Sequence, residues 1–383
     1  MATMQTTSVT TTARTAGSAV LLVGLGIFAA CVDGVSDDVQ ETGEVAYQAG
    51  EVVDQAQVVV NDQLDEVLIA LDQLDASLLN LEAAPMDEAA RANAQDAWSA
   101  LYREWQHVEV MQMGQLGSSL TVVGGTDVRD EVYSWPSVNP CRVDQETVEA
   151  NWDQAEFFTA NLVNSYGLDA LEQLLFGPEA DQCVSQVGID SDWANLGTEG
   201  VATNRAAFAQ AVSAGIRSHA ELGVDLSYAD DQEGLNEILR ALFYLDKITK
   251  DLKLARTAGL KDCGTEICPE EAESQVAGAS TDAIHANLEG FRILFTGGEG
   301  AGLDDLLVSA GREDLVTDIL VQLDEAEAAA LSVGSPLDIA VVDDLDAVTT
   351  LHAEVKDVTD LLKGELTTVL ALQIPIEASG DND

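Results

Sequence analysis

Asp169 and Glu172 stand three residues apart in the stretch running from Tyr166 to Pro178, YGLDALEQLLFGP. On a helix that spacing puts two carboxylates on one face. Leu168, Leu171, Leu174, Leu175 and Phe176 surround them. Like charges close together in apolar surroundings are unfavourable unless a cation, a donor or a proton compensates. The pair therefore predicts either a face turned to water or a place for something positive. Glu109, in the company of Trp105, Val108, Met111 and Met113, is a third carboxylate that could point into the same site. Glu273, Ser274 and Ser280 form a second tier, since Ser with nearby acids equally suits the capping of a helix.

Other chemistries find less support. His107, His219, His285 and His352 are scattered along the chain. His107 and Glu109, two apart, diverge on a helix, whereas Asp282 and His285 share a face and could ligate together. A surface His beside an acid is the commoner arrangement. No Gly-x-Ser-x-Gly elbow and no His-Glu-x-x-His pair is present. Gly124-Gly125 and Gly297-Gly298 lack the Lys of a phosphate loop and read as turns.

Long amphipathic helices are the elements that must position these groups. Val60, Leu64, Val67, Leu71, Leu74, Leu78 and Leu81 alternate spacings of four and three, and Pro85 stops the helix they define. Further helices are predicted over 87–113, 143–164, 204–222, 234–258, 279–295, 313–331 and 343–372. Leu120 to Val123 is the best strand signal, and it is short. The pattern predicts an all-α protein of two packed antiparallel helical bundles, residues 51–230 and 231–383.

The chain of 383 residues is 46% hydrophobic, enough for a sizeable core, and carries 17 Lys+Arg against 68 Asp+Glu, a net charge of −51. Nucleic acid is excluded as a partner, because phosphate binding needs clustered Lys and Arg. An acidic solvated surface is the plain reading of the charge; a general attraction for cations is the functional one. Residues 1–30 read as a signal peptide, with the apolar run from Ala19 ending in Phe28-Ala29-Ala30-Cys31. That ending resembles a lipobox, which predicts lipidation of Cys31 and an acidic tether over 31–50. Removing Cys31 leaves an even set in an oxidising compartment, with Cys263 and Cys268 closing a small loop and Cys141 then pairing with Cys183.

Several motifs in order resemble the imelysin family of exported proteins, which includes iron-regulated envelope proteins. Gly167-Leu168-Asp169-Ala170-Leu171-Glu172 is similar to the family's Gly-x-His-x-x-Glu segment, with Gln173-Leu174-Leu175-Phe176-Gly177 trailing it. Trp98, Trp105-Gln106, Glu109 and Gly114 resemble its Trp-rich helix, and Trp135-Pro136 with Asp144 its Trp-Pro loop. Glu273-Ser274, Ser280 and Asn287-Leu288 resemble a further helix start, and IPIEASGDND the closing stretch. The resemblance spans about Val52 to Asp383.

It implies a two-bundle envelope lipoprotein, on the periplasmic or outer-membrane side of a bacterium, that binds a metal or metal-linked ligand in iron or other metal uptake. Its partners would be the metal or small ligand, the membrane through the lipid, and envelope uptake proteins. The family's His and Glu are thought to bind metal; here Asp169 takes the His position, so Asp169, Glu172 and Glu109 offer oxygens alone. Such a set suits a hard divalent or ferric ion better than Zn²⁺. The alternatives are a metallopeptidase of the family, against which the missing His counts, and a non-catalytic surface interaction protein.

Overall fold

The computed structural model describes residues 47–376 and 378, apart from residue 155. The signal peptide, Cys31 and nearly all of the expected tether lie outside these described residues. Helix α1 (Ala49–Ala83) begins within the expected tether, where Glu51 accepts the Gln48 N–H at 2.9 Å. Its heptad residues are buried throughout, from Val60 to Leu81. Helix α2 (Glu88–Glu109) is capped by the Asp87 carboxylate, which accepts from the Ala90 N–H, and packs along α1.

Between α2 and the next long helix the chain is irregular. It carries α3 (Val128–Val132), α4 (Pro140–Glu149), α5 (Phe157–Ala160) and α6 (Leu168–Phe176). The single helix expected over 143–164 is broken. It ends at Ala150, whose φ of 53° is left-handed. Beyond it Trp152 stacks on Phe208 at 5.2 Å rather than extending the helix. Leu120 to Val123 is not a strand but a pair of turns, with Leu120 and Val123 exposed; among the described residues there is no strand at all.

Helix α7 (Asp190–Ala220), interrupted at Gly197, packs back on α1, α4 and α6. Helix α8 (Asp231–Leu242) also lies on α1, and runs almost directly into a π-helical segment, Leu245–Ala255. Then come α9 (Ser280–Thr296), α10 (Leu303–Ser309), α11 (Glu313–Val333), α12 (Leu337–Asp343), α13 (Leu345–Leu361), a π turn at Leu362–Leu366 and α14 (Thr367–Val369). Helices α9, α11, α13 and the π segment pack together, and α2 meets α9 where the two groups of helices join. One hydrophobic cluster runs through both groups. The architecture is all-α, as the periodicity predicts. Both expected disulfides, Cys141–Cys183 and Cys263–Cys268, are formed.

Candidate metal centre

The polar centre of the protein lies where α2 meets α9 and the π segment. Lys253, on the π segment, is wholly buried. Its Nζ lies 2.7 Å from Glu109 Oε2, 3.0 Å from Glu273 Oε2, 2.6 Å from Gln106 Oε1 and 3.0 Å from Asn287 Oδ1. A π turn widens the helix and is frequent at functional sites. Arg129 of α3 donates Nε to Glu109 Oε1 at 3.0 Å and a terminal amine to the Trp135 carbonyl at 3.2 Å. Both oxygens of Glu109 are therefore engaged by cations. Burial opposes its ionisation, but Lys253 and Arg129 outweigh that and hold the carboxyl below its usual range.

Glu273 is held differently. Tyr133 and Tyr102 donate their hydroxyls to Oε2 at 2.6 and 3.1 Å, while Oε1 is buried with no hydrogen-bond partner. Burial pushes this carboxyl up despite Lys253. Burial and Glu273 likewise raise Tyr102 and Tyr133 well above the ordinary phenol, which keeps them as donors.

Asp169 and Glu172 project from α6, whose start is fixed by Gly167 and by Trp98, which donates Nε1 to the Leu168 carbonyl at 3.0 Å. Gly167 has φ 92°, and a Cβ there would meet the Val132 carbonyl oxygen at 2.8 Å. Both acids are buried, at 2% and 4% exposure, so the solvated-face alternative does not hold. Glu172 Oε1 accepts the Ala277 N–H at 2.8 Å, and Ser134 donates to Asp169 Oδ2 at 3.4 Å. Burial first, then the neighbouring Glu172 charge, raises Asp169 well above the carboxylate range. Burial pushes Glu172 up to about 7, against the Ala277 N–H.

Four buried carboxylates thus share two cations. Lys253 pairs with Glu109 and Glu273 and Arg129 with Glu109, whereas Asp169 and Glu172 make no ion pair among the described residues and are held toward their protonated forms by burial. These two, with Ser274, line a cavity of 320 Å³ that reaches the surface at Glu270 and Gln275.

The structure brings Asp169, Glu172, Glu109, Glu273 and Ser274 into one neighbourhood. Ser280 is placed otherwise: its hydroxyl accepts the Leu337 N–H at 2.8 Å and ties α9 to α12. Among the described residues no three His, Cys, Asp or Glu side chains are gathered closely enough to hold a metal as they stand. Lys253, Arg129, Tyr102 and Tyr133 belong to the site and were not singled out from sequence. The scarcity of Lys and Arg could have flagged Lys253, whose flanking Leu252 and Leu254 are apolar.

The sequence model of the imelysin family, the M75 peptidases, matches residues 60–364. The chain belongs to the imelysin family. A solved protein named as an iron-regulated protein A precursor, from Parabacteroides distasonis, is similar in fold, with a TM-score of 0.64 at 14% identity over 86% of this chain and 97% of the other. An imelysin-like protein from Psychrobacter arcticum gives a TM-score of 0.63 at 18% identity, over 85% of this chain and 98% of its own. No curated protein sequence matches. At the start of α6 this chain carries Asp169 and Glu172, which offer oxygen donors only.

Proposed function

We propose that this imelysin binds a hard cation, divalent or ferric, as cargo at Asp169 and Glu172, in the uptake of iron or another metal at the cell envelope. One observation carries the reading: two buried carboxylates on the wall of a surface-reaching cavity, neither of them in an ion pair with Lys or Arg among the described residues. The donor set fits such an ion. Both groups are oxygen ligands, and the unpaired Glu273 Oε1 adds negative potential nearby. Glu109 fits less well as a ligand, because an ion there would have to displace Lys253 or Arg129. Its role is to anchor the two internal cations. A bound ion would supply positive charge beyond what protons and, for Asp169, the neighbouring Arg129 provide. The iron-regulated name of one structural relative supports the choice of cargo. Lipidation at Cys31 would hold the protein at the membrane, within reach of envelope uptake partners.

The test is calorimetric titration of wild type and the D169N/E172Q variant with ferric and ferrous iron, Mn²⁺, Ca²⁺ and Zn²⁺. High salt screens the acidic surface. Stoichiometric binding that the double substitution removes supports the proposal and names the ion. Equal weak binding in both proteins sinks it in favour of an interaction protein. Ion-dependent cleavage of an unstructured substrate, lost in E172Q, would instead make the protein a peptidase.

A further inference from the structure

Arg91 stands apart in a chain with 68 acidic residues. Among the described residues every other Lys and Arg has a carboxylate within ion-pair distance, and Arg91 has none. It is half-buried on α2 and borders an open cavity of 240 Å³. Much of the cavity wall is α7, which supplies Trp193, Val201, Ala202 and Arg205. That helix breaks at Gly197, with φ 63°, and its second half begins at the cavity, where the positive end of its dipole lies.

Arg205 is the second cation of the wall. It is 9% exposed, and its guanidinium lies 5.3 Å from the centre of the Trp193 ring. Asp144 accepts from one terminal amine at 3.3 Å and the Gly177 carbonyl from the other at 3.4 Å. Both exceed the length of about 2.7–2.9 Å that marks a strong charge-assisted hydrogen bond. The remaining donor, Nε, is buried without a partner. Burial pulls this guanidinium below its usual range against Asp144, and the like charge of Arg91 pushes the same way. Trp193 is itself held by its Nε1, which donates to the Glu179 carbonyl at 3.2 Å.

The charges choose the ligand. Asp144 cancels one of the two guanidinium charges, and one positive charge is left over. That suits a monoanion. A phosphate dianion would bring excess charge to a rim that also carries the exposed Glu179. Met86, Trp193, Val201 and Ala202 complete the lining with apolar surface, which suits an organic body rather than a bare ion.

We propose that this pocket binds a small organic carboxylate with an apolar body. Arg91 takes the carboxylate with its planar fork, Arg205 adds its unpartnered donor, and Trp193 packs on the body. The pocket shares no lining residue with the cavity at Asp169 and Glu172, and the proposal does not rest on the cation reading.

The test is calorimetric titration of the full chain with phenylacetate, beside its neutral isostere phenylacetamide and inorganic phosphate. Phenylacetate should bind with one equivalent, and the other two at least about tenfold more weakly. R91Q should weaken phenylacetate at least about tenfold, and R91K should restore only part, since an ammonium cannot make the forked contact. W193A should weaken it too but keep the preference for acid over amide. Arg205 is left in place, because its loss would strand Asp144 in the interior. Thermal melts check that each variant folds. Equal affinity for acid and amide, binding that folded R91Q leaves unchanged, or no saturable binding of phenylacetate overturns the site. Phosphate bound as tightly as phenylacetate overturns the assignment to an organic monoanion.

Discussion

The Lys253 ammonium and the Glu109 carboxylate meet at 2.7 Å with both side chains wholly shielded from water. They are contributed by the π segment and α2, so the pair is also a clamp between the two groups of helices. Removing one member of a buried pair leaves the other charged in a medium that solvates it poorly, at a cost of about 3–5 kcal/mol. K253M should lose stability of that order in urea unfolding, because Glu109 and Glu273 both depend on Lys253. Adding E109Q should recover part of the loss, and the double-mutant cycle measures how much. Additive losses would mean that Lys253 acts through packing alone.

The raised Glu172 carboxyl makes a pH prediction of definite sign. Its value is about 7 in the fold against 4.5 ordinarily, so the folded protein keeps a proton that the unfolded chain releases. The stabilisation is complete below pH 4.5, falls as pH rises to 7 and is gone above it, roughly 3 kcal/mol in all. Asp169 shifts in the same direction and adds to the slope. In metal-free buffer E172Q should flatten this slope and exceed wild type in stability at pH 8. Urea midpoints at pH 5 and pH 8 decide it.

Cation binding opposes that slope. An ion replaces the protons on Asp169 and Glu172, so affinity should rise between pH 6 and 8 with proton release. Titration in two buffers of different ionisation heat counts the protons. Binding with no pH dependence would place the ion away from this pair.

The helices and the acidic pair were legible because their signals are local. Val60 to Leu81 repeats every few residues, and each of its seam positions is buried. Asp169 and Glu172 are separated by less than one turn, so their shared face follows from helix geometry. The compensation of Glu109 was not legible. Lys253 is 144 residues away and Arg129 twenty, and nothing in the neighbourhood of either marks the partner. The break after Glu149 was hidden for the same reason. Trp152 leaves the helical register to stack on Phe208, a contact made across the fold. Ser280 reads as a cap or ligand in sequence, but the N–H it accepts comes from Leu337.

Gly167 is a backbone requirement of the site. Its φ of 92° and the nearby Val132 carbonyl leave no room for a side chain. G167A should destabilise the protein by about 1–3 kcal/mol and move the start of α6, and Asp169 with it. Cation affinity should then fall more than in a remote variant of equal stability loss. Equal affinity in the two would show that the pair tolerates displacement of α6.

Asp169 stands where the resemblance to a Gly-x-His-x-x-Glu segment leads one to expect His, and exchanging it for His tests what the carboxylate does there. D169H replaces an oxygen donor by an imidazole nitrogen and removes one of the two uncompensated acids. Preference should move from hard ions toward Zn²⁺ or ferrous iron, since imidazole suits borderline metals and carboxylates suit hard ones. Parallel titrations of wild type and D169H with Mn²⁺, Ca²⁺, Zn²⁺ and ferrous iron measure the change of preference. An unchanged order of ions in D169H would mean that residue 169 does not contact the cation, and that Glu172 recruits other donors from the cavity wall.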